Sequence, residues 1–336
     1  MNAPAAQPEG LSSPLGLAEG VRGGSRRALA KAITLVESTR PDDLPLALAL
    51  LEELRPDTGG SLRIGLSGAP GAGKSTLVEA LGQHVVACGH RLAVLAIDPS
   101  SAVSGGSVLG DKTRMSDLSR LEAAFIRPSP SAGAHGGVSA RTPEAIEVCE
   151  AAGFDVVIVE TVGVGQAEAE VAGMTDVFVL LELPFAGDGL QAIKRGSTEL
   201  ADVIVYAKAD LDPVAATAAC ARMNDALSLL RPVSAAARPR AVTVSAHSGQ
   251  GVAELWTELE RCRDARAAAG AAAVRRQRQG IARMWRFIEA ELRSDFVSDN
   301  AVRERLAEME EAVARGEVTP ARAANELLVL AGRRSG

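Results

Sequence analysis

Aromatic side chains are scarce in this chain of 336 residues, since phenylalanine, tryptophan and tyrosine together make up 3% of it. The sequence therefore has few of the stacking platforms on which single-stranded nucleic acids are held. It also lacks an excess of positive charge, because 36 lysines and arginines face 42 aspartates and glutamates, giving a formal net charge of −6. Binding of a polyanion depends on a basic surface, so both features argue against a general nucleic-acid-binding protein.

Long hydrophobic runs are missing as well, and no stretch of 18 apolar residues occurs, so we expect no membrane span. The opening MNAPAAQPEG has neither the basic segment nor the apolar core of a secretory signal. The cysteines lie far apart without a CxxC pair, which predicts buried free thiols and not a zinc site or a disulfide framework. These cysteines are Cys88, Cys149, Cys220 and Cys262. Together the absences predict a cytoplasmic protein.

Short apolar segments rich in valine, isoleucine and leucine alternate with helical stretches from residue 61 onward. They lie at residues 62–68, 91–98, 123–129, 154–160, 176–182, 202–210 and 241–246. Strands that are apolar on both faces are typical of a parallel sheet covered by helices on both sides. The sequence therefore predicts an α/β fold whose core domain spans residues 61–262.

The segments on either side of this core differ from it in composition. Residues 1–24 are rich in proline, glycine, serine and alanine without periodicity, which predicts a disordered or loosely docked tail. Amphipathic helices are expected over about 25–38 and 41–54, which completes a predicted N-terminal extension of residues 1–60. Residues 263–336 are predicted to form a helical C-terminal extension. Such an extension is either a dimerisation arm or a lid on its own core.

A glycine-rich motif directly follows the first predicted strand. GAPGAGKS, at residues 68–75, matches GxxxxGK[ST] and precedes a helical segment, which predicts a P-loop nucleotide-binding fold. Glycines let successive N–H groups point into one concavity, and the following helix presents its positive end to the same anion. Lys74 is expected to reach the β- and γ-phosphates, and Ser75 to place its hydroxyl on Mg²⁺. The predicted nucleotide-binding residues here are Gly68, Ala69, Pro70, Gly71, Ala72, Gly73, Lys74, Ser75 and Thr76.

Acidic residues at strand ends are the candidates for the metal side of this site. Glu160 ends a predicted strand at the position that holds Mg²⁺ in P-loop enzymes, where aspartate is more usual. Asp98 ends another predicted strand, and Asp111 lies in a polar loop that we interpret as a switch segment, acting on the metal or the attacking water. The alternative for each acid is a capped or ion-paired residue with no metal role.

The residues after Glu160 offer groups for the γ-phosphate. Gly163 is a candidate to donate its N–H, and Gln166 is a candidate to position the attacking water, unless it is an ordinary solvated side chain. With Lys74 and Asp111, Gln166 completes the predicted catalytic set. The expected reaction is in-line attack of water, with charge neutralised by the loop, Lys74 and Mg²⁺. Because the sequence assigns no arginine finger, slow basal hydrolysis accelerated by a partner is expected.

A base-recognition motif is predicted at residues 207–210, AKAD, where many guanine-nucleotide proteins have Asn-Lys-x-Asp. The Asp210 carboxylate would accept hydrogen bonds from guanine N1–H and the 2-amino group, neither of which adenine offers. Lys208 would lie along the base. Ala207 replaces the usual asparagine, which predicts weaker base affinity with guanine selectivity retained. A loop whose backbone N–H contacts guanine O6 is predicted at Ser245, Ala246 and His247.

These motifs together resemble the MeaB/ArgK/MMAA family of P-loop GTPases over about residues 25–262. The joint occurrence of ETVGVGQ and RPSPSAGAHGG is specific, whereas FAGDGLQAIKRG departs from the commoner PGAGDELQ form. The matching segments are SGAPGAGKSTL (67–77), AIDPSS (96–101), LGDKTRM (109–115), FIRPSPSAGAHGGV (125–138), VIVETVGVGQAE (157–168) and GDGLQAIKRG (187–196).

The resemblance implies a GTPase that acts as a metallochaperone for an adenosylcobalamin-dependent acyl-CoA mutase, usually methylmalonyl-CoA mutase. Such a protein gates cofactor loading and helps to remove damaged cob(II)alamin. GTP or GDP and Mg²⁺ are the implied ligands, and a homodimer is the expected assembly. The resemblance also implies that residues 187–196 form a mobile segment, switch III, that carries the nucleotide state to the mutase. Its polar members, unless they are ordinary solvated residues, are Asp188, Gln191 and Lys194.

Two other functions compete with this interpretation. A P-loop kinase would transfer the γ-phosphate to a protein or a small molecule, but the sequence shows no separate acceptor-binding domain. A nickel-insertion GTPase would need a cluster of cysteine and histidine ligands, which the sequence does not offer.

Overall fold

The structure is a computed structural model. It describes residues 11, 13–98, 115–130, 141–161, 166–184, 196–229 and 238–333. The chain divides into two units, Met1–Arg276 and Gln277–Gly336. Within the described ranges, no helix combines the length and the apolar character that crossing a bilayer requires.

A parallel sheet forms the centre of the first unit, and the described residues contribute seven strands to it. The strands are β1 (Leu62–Gly68), β2 (Leu92–Asp98), β3 (Ala124–Pro130), β4 (Val156–Thr161), β5 (Val177–Glu182), β6 (Val203–Tyr206) and β7 (Arg240–Thr243). Their order is β3-β2-β4-β1-β5-β6-β7, and all neighbours are parallel. The predicted α/β fold is confirmed. The last two strands end earlier than predicted, at Tyr206 and Thr243, because the chain turns there into loops.

Helices cover both faces of the sheet. These helices are α1 (Pro14–Arg22), α2 (Arg26–Glu37), α3 (Leu44–Leu54), α4 (Lys74–Ala87), α5 (Thr142–Ala151), α6 (Gln166–Ala172), α7 (Gly196–Leu200), α8 (Pro213–Leu229) and α9 (Val252–Ala268). The next helix, α10 (Ala271–Ser298), begins in the first unit and ends in the second. Helices α4 and α9 share one apolar core with the sheet. Helices α1, α2, α3, α5, α6 and α8 share the core on the opposite face. Apolar strands therefore find apolar partners on both sides, as their composition predicts.

The N-terminal segment belongs to the core of the first unit, so the expectation of a loose tail over residues 1–24 is wrong for Pro14–Arg22, which forms α1. The Ser13 hydroxyl caps this helix by accepting a hydrogen bond from the Gly16 N–H at 3.1 Å. Leu17 and Val21 lie one helical turn apart on the same face and are buried with α2 and α3. This apolar face explains why so short a segment folds.

The second unit contains the end of α10 followed by α11 (Asn300–Ala314) and α12 (Pro320–Leu330). Its small core is formed by Val302, Met309, Ala323 and Leu327. The helical character expected for the C-terminal extension is present in all three helices.

The cysteines are free, but they differ in exposure. Cys149 and Cys262 are buried and Cys220 is half-buried, whereas Cys88 is exposed. The expectation of buried thiols is therefore wrong for Cys88, which caps the C-terminal end of α4, where the chain leaves the core.

Candidate functional site

The predicted phosphate loop connects the carboxyl end of β1 to the first turn of α4. Gly68 has φ +154°, and a Cβ there would lie 2.5 Å from the carbonyl oxygen of Leu181 in β5. Gly73 precedes α4 with φ +97°, a left-handed conformation that glycine adopts at no steric cost. The loop therefore passes close to the neighbouring strand and then turns sharply, so that the positive end of α4 faces the loop.

Lys74 lies inside this loop and is only 8% exposed. Its ammonium donates hydrogen bonds to the carbonyl oxygens of Gly68 at 2.7 Å and Ala69 at 3.0 Å. Burial lowers the pKa of the Lys74 ammonium, although the carboxylates of Glu160 and Glu168 act in the opposite direction. A phosphate group entering the loop would supply the negative charge that a buried ammonium needs.

Two predicted metal ligands meet beside the loop. The Ser75 hydroxyl donates a hydrogen bond to Oε1 of Glu160 at 2.9 Å. Glu160 lies near the end of β4, paired in register with Leu66 of β1, and is 7% exposed. A hydroxyl and a carboxylate are the hard oxygen ligands that Mg²⁺ prefers, so this donor pair fits the ion.

The other predicted switch and metal residues are only partly described. Asp98 is the last residue of β2, in register with Pro130 of β3, and only its backbone is described. Gln166 begins α6, and its side chain also lies outside the described part. The remaining predicted residues lie outside the described residues altogether: Asp111, Gly163, Asp188, Gln191 and Lys194.

A cavity of about 310 Å³ adjoins the phosphate loop at the carboxyl ends of β6 and β7. Its size is in the range of small-molecule sites. It brings together residues predicted separately for phosphate and for base binding. Its lining residues are Ala72, Gly73, Thr76, Leu77, Ala207, Lys208, Asp210, Leu211, Val244, Ala246 and His247. Leu77, Leu211 and Val244 were not predicted as site residues, because their apolar side chains offer no hydrogen-bonding group to a nucleotide.

Lys208 enters this cavity from a left-handed backbone conformation with φ +56°, which no other non-glycine residue of the described ranges adopts. Such a backbone is costly for a residue with a Cβ and is concentrated at functional sites. The turn is held by hydrogen bonds from the Ala209 N–H to the Val244 carbonyl at 3.2 Å and from the Leu211 N–H to the Lys208 carbonyl at 3.1 Å. The Lys208 side chain lies over the phosphate loop, with Cε 3.6 Å from where a Cβ on Gly73 would be.

Asp210 follows this turn and is exposed to the cavity. A hydrogen bond from the Ser245 hydroxyl is the main cause of the lowered pKa of the Asp210 carboxyl, and His247 and Lys208 contribute smaller effects. The Ser245 hydroxyl also accepts from the Ser248 N–H at 3.2 Å. Ser245 was predicted only as part of a backbone contact, and the effect of its hydroxyl on the pKa of the Asp210 carboxyl was not predicted. The carboxylate is thus held ionised, with acceptor capacity left for a ligand.

Comparisons with known proteins agree with this geometry. The family model described as methylmalonyl-CoA mutase-associated GTPase MeaB matches residues 29–301. A probable GTPase of Mycobacterium tuberculosis is 49% identical over 317 residues, covering 94% of each chain. The mitochondrial methylmalonic aciduria type A homolog of Mus musculus is 47% identical over 317 residues, covering 91% of this chain and 76% of that protein.

A solved structure shows the same fold over nearly the whole chain. The crystal structure of a LAO/AO transport system kinase has a TM-score of 0.74 and 35% identity, and covers 98% of this chain and 100% of its own. The similarity to the family model, to the two relatives and to this structure covers far more of the chain than the phosphate loop. The chain belongs to the family of methylmalonyl-CoA mutase-associated GTPases, MeaB.

Proposed function

We propose that this protein binds GTP with Mg²⁺ at the carboxyl edge of its sheet and hydrolyses it to GDP and phosphate. The observation that carries this proposal is the cavity that runs from Gly73 of the phosphate loop to Asp210. One ligand can therefore occupy both the predicted phosphate site and the predicted base site. The names of the relatives, which are called GTPases, support the same reaction.

The proposed chemistry is electrostatic and requires no covalent intermediate. Lys74 and the N–H groups of the loop neutralise the charge that develops on the β- and γ-phosphates during in-line attack of water. Ser75 and Glu160, together with Asp98 and Asp111 from the sequence, would hold Mg²⁺, which supplies further neutralisation when bound. From the sequence, Gln166 orients the water and Gly163 offers its N–H.

Guanine is the proposed base because Asp210 is an oriented, ionised acceptor. Its carboxylate accepts from guanine N1–H and the 2-amino group, whereas adenine would place an acceptor against it. Lys208 lies along the base plane, and the loop of Ser245, Ala246 and His247 offers a backbone N–H to O6. Ala207 supplies no side-chain hydrogen bond, so base affinity is weaker than in proteins with asparagine there.

The proposed partner is an adenosylcobalamin-dependent acyl-CoA mutase in the cytoplasm, for which this GTPase acts as a metallochaperone during cofactor loading and reactivation. Support comes from the family description, which names methylmalonyl-CoA mutase, and from the name of the mouse relative. The proposed coupling residues are Asp188, Gln191 and Lys194. Basal turnover is slow, because no arginine finger is assigned, and rises when the mutase binds.

A turnover assay with and without a candidate mutase tests this proposal. We expect free phosphate to be released from GTP, slowly alone and faster with saturating mutase. The variants Gln191→Ala and Lys194→Ala are expected to retain basal turnover and lose the stimulation. An unchanged rate with saturating mutase would contradict the partner. Transfer of labelled γ-phosphate to a second product would instead favour a kinase.

A homodimer formed through the second unit is part of the proposal. Six large apolar side chains of α10 are exposed to solvent, among them Ile281 at 53%, Trp285 at 55% and Leu292 at 48%. Their spacing of four and then seven residues places them on one helical stripe, as in a coiled-coil seam. We expect Trp285→Glu to convert a dimer to a monomer in sedimentation experiments. The matched variant Ser294→Glu places the same charge on the opposite, exposed face of α10 and should remain dimeric. A monomeric wild-type protein would contradict the dimer.

A further inference from the structure

The base cavity lacks a side-chain donor at the position where asparagine is usual. Ala207 occupies that position, is 6% exposed, and has no polar side-chain atom. Guanine carries two acceptors, O6 and N7, on the edge that adjoins its 6-position. A buried acceptor that finds no donor costs binding free energy. The N–H of Ala246 serves one of these acceptors at most, so a second donor is needed for the edge to be satisfied.

Four polar side chains are present among the described residues that line the cavity: Thr76, Lys208, Asp210 and His247. Asp210 is ionised and only accepts hydrogen bonds. Lys208 extends over Gly73 of the phosphate loop. Thr76 belongs to the first turn of α4, beside the metal-binding hydroxyl of Ser75, at the phosphate end.

His247 is the remaining donor, and it lies on the base side of the cavity. It is two residues beyond Ser245, whose hydroxyl lowers the pKa of the Asp210 carboxyl, and both His247 and Asp210 line the cavity. The imidazole is close enough to Asp210 for its charge to act on that carboxylate. Two edges of one guanine would thus be contacted by neighbouring groups, the N1 edge by Asp210 and the adjoining edge by the loop that carries His247.

We propose that the imidazole of His247 is a specificity-determining group that donates a hydrogen bond to the O6/N7 edge of guanine, in place of the asparagine that Ala207 replaces. The proposal rests on the proposed guanine site and deepens it. An imidazole carries at least one N–H in either charge state, so it is a donor throughout the physiological pH range.

Titration calorimetry with GDP and Mg²⁺ on the full chain tests the proposal. We expect His247→Ala to weaken GDP binding about tenfold, as for the loss of one buried hydrogen bond. His247→Gln retains a side-chain N–H donor and is expected to restore most of the affinity. His84→Ala is the matched control, because His84 lies in the last turn of α4 beside Cys88, away from the cavity lining. It is expected to bind like the wild type.

Two base analogues separate a hydrogen bond to the base from a general effect on the loop. In 7-deaza-GDP the N7 acceptor is replaced by C–H, and in 6-thio-GDP the O6 acceptor becomes a weak one. The imidazole of His247 contacts either O6 or N7. With the analogue in which that acceptor is weakened or absent, the loss of affinity caused by His247→Ala is expected to shrink from about tenfold to about twofold or less.

The outcomes distinguish this inference from the function on which it rests. Equal GDP affinity in His247→Ala and wild type would overturn the inference, as would a penalty of the same size with GDP and both analogues. Absence of GDP binding to the well-folded wild type would overturn the guanine site itself.

Discussion

The two ends of the parallel sheet differ in how far their charged side chains are hydrogen-bonded within the protein. At the carboxyl end, the ammonium of Lys74 contacts main-chain carbonyls, and the exposed carboxylate of Asp210 interacts with the Ser245 hydroxyl and with its own backbone N–H. Both groups keep capacity for a ligand. At the amino end, the carboxylates of Glu150 and Asp176 are each held by an arginine through two hydrogen bonds. The comparison teaches that one end is built to bind and the other to stabilise.

Glu150 shows how completely the amino end is satisfied. It accepts hydrogen bonds from the Arg63 guanidinium at 2.9 and 2.8 Å, from the Ser61 hydroxyl at 2.6 Å and from the Gly59 N–H at 2.7 Å. Burial alone would raise the pKa of this carboxyl, but the hydrogen bonds and the charge of Arg63 hold it below its ordinary value. The carboxylate is thus fixed in the ionised form with no exposed face for a ligand.

Asp176 joins three elements at the same end. It accepts from the Arg276 guanidinium at 2.9 and 2.7 Å and from the Arg63 N–H at 3.0 Å. Burial raises the pKa of Asp176, and the hydrogen bonds and charge of Arg276 outweigh burial and lower it. The arginine therefore fastens the beginning of α10 beneath β1 and β5.

Removing the phosphate-loop ammonium is expected to have the largest effect of all. In the proposed reaction, Lys74→Ala deletes a charge that stabilises the transferring phosphoryl group, so GTP turnover should fall by a factor of about 10³. The melting temperature should change little. The hydrogen bonds from the ammonium to carbonyl oxygens stabilise the folded protein, but burying the charged group opposes this, as its lowered pKa shows. Phosphate release and calorimetric melting measure the two quantities. Retained turnover would remove Lys74 from the reaction.

At the amino end of the sheet, a substitution is expected to lower stability and to leave nucleotide binding unchanged. Asp176→Asn leaves the Arg276 guanidinium partly buried without its counter-charge, so the free energy of unfolding should fall by about 3 kcal/mol. GDP affinity should stay within about twofold of wild type, because the proposed nucleotide site lies at the other end of the sheet. Denaturant unfolding and titration calorimetry test both statements, and a large loss of GDP affinity would break the comparison.

The ionised Asp176 also makes the stability of the wild-type protein depend on pH, and the lowered pKa of Asp176 fixes the direction of that dependence. The folded pKa of Asp176 is lowered, so its stabilisation is present above the unfolded pKa of about 3.9 and is lost as pH falls through the folded pKa. We expect the wild type to lose stability below about pH 4 more steeply than Asp176→Asn. Parallel slopes in acid unfolding curves would contradict this account of Asp176.

Changing Asp210, the carboxylate that we propose recognises the base, should alter nucleotide specificity and leave the fold unchanged. Asp210→Asn replaces an acceptor by an amide that can donate, so GDP should bind about 30-fold more weakly and XDP should be preferred. Melting should be close to wild type, because Asp210 is exposed. Competition between GDP and XDP measures the change. Unchanged preference for GDP would exclude Asp210 as the base-reading group.

Two serines, Ser67 in β1 and Ser61 just before this strand, give the prediction with the smallest expected change in stability. The Ser67 hydroxyl, near the carboxyl end, is fully buried and has no hydrogen-bond partner among the described residues, whereas the Ser61 hydroxyl donates to Glu150. Ser67→Ala should therefore raise the free energy of unfolding by about 1 kcal/mol, and Ser61→Ala should lower it by a similar amount. Denaturant unfolding should give opposite signs, and equal signs would contradict the contrast.

The strands and the phosphate loop could be predicted because their signals are local. β4 is buried on both faces, and its unbroken apolar run reports that directly. The phosphate loop is a contiguous motif whose glycines are required by its own backbone. By contrast, α1 has only nine residues, and its fold depends on packing against α2 and α3, which composition does not report.

The amino-end network and the orientation of Asp210 could not be predicted, since they join residues that are far apart in the chain. Arg276 and its acceptor Gly59 are 217 residues apart, and Ser245 and Asp210 come from different strands' loops. The early end of β6 could not be predicted for the same reason. The left-handed turn at Lys208 that follows this strand is held by a carbonyl from the loop after β7, which is distant in the sequence.

Titration calorimetry of the wild-type chain with guanine and adenine nucleotides tests the central claim most directly. The claim is that the cavity between Gly73 and Asp210 is a guanine-nucleotide site. In the presence of Mg²⁺, GDP and GTP should give saturable binding heats and ADP should give none. Absence of heat with both guanine nucleotides, or equal affinity for GDP and ADP on well-folded protein, would contradict it.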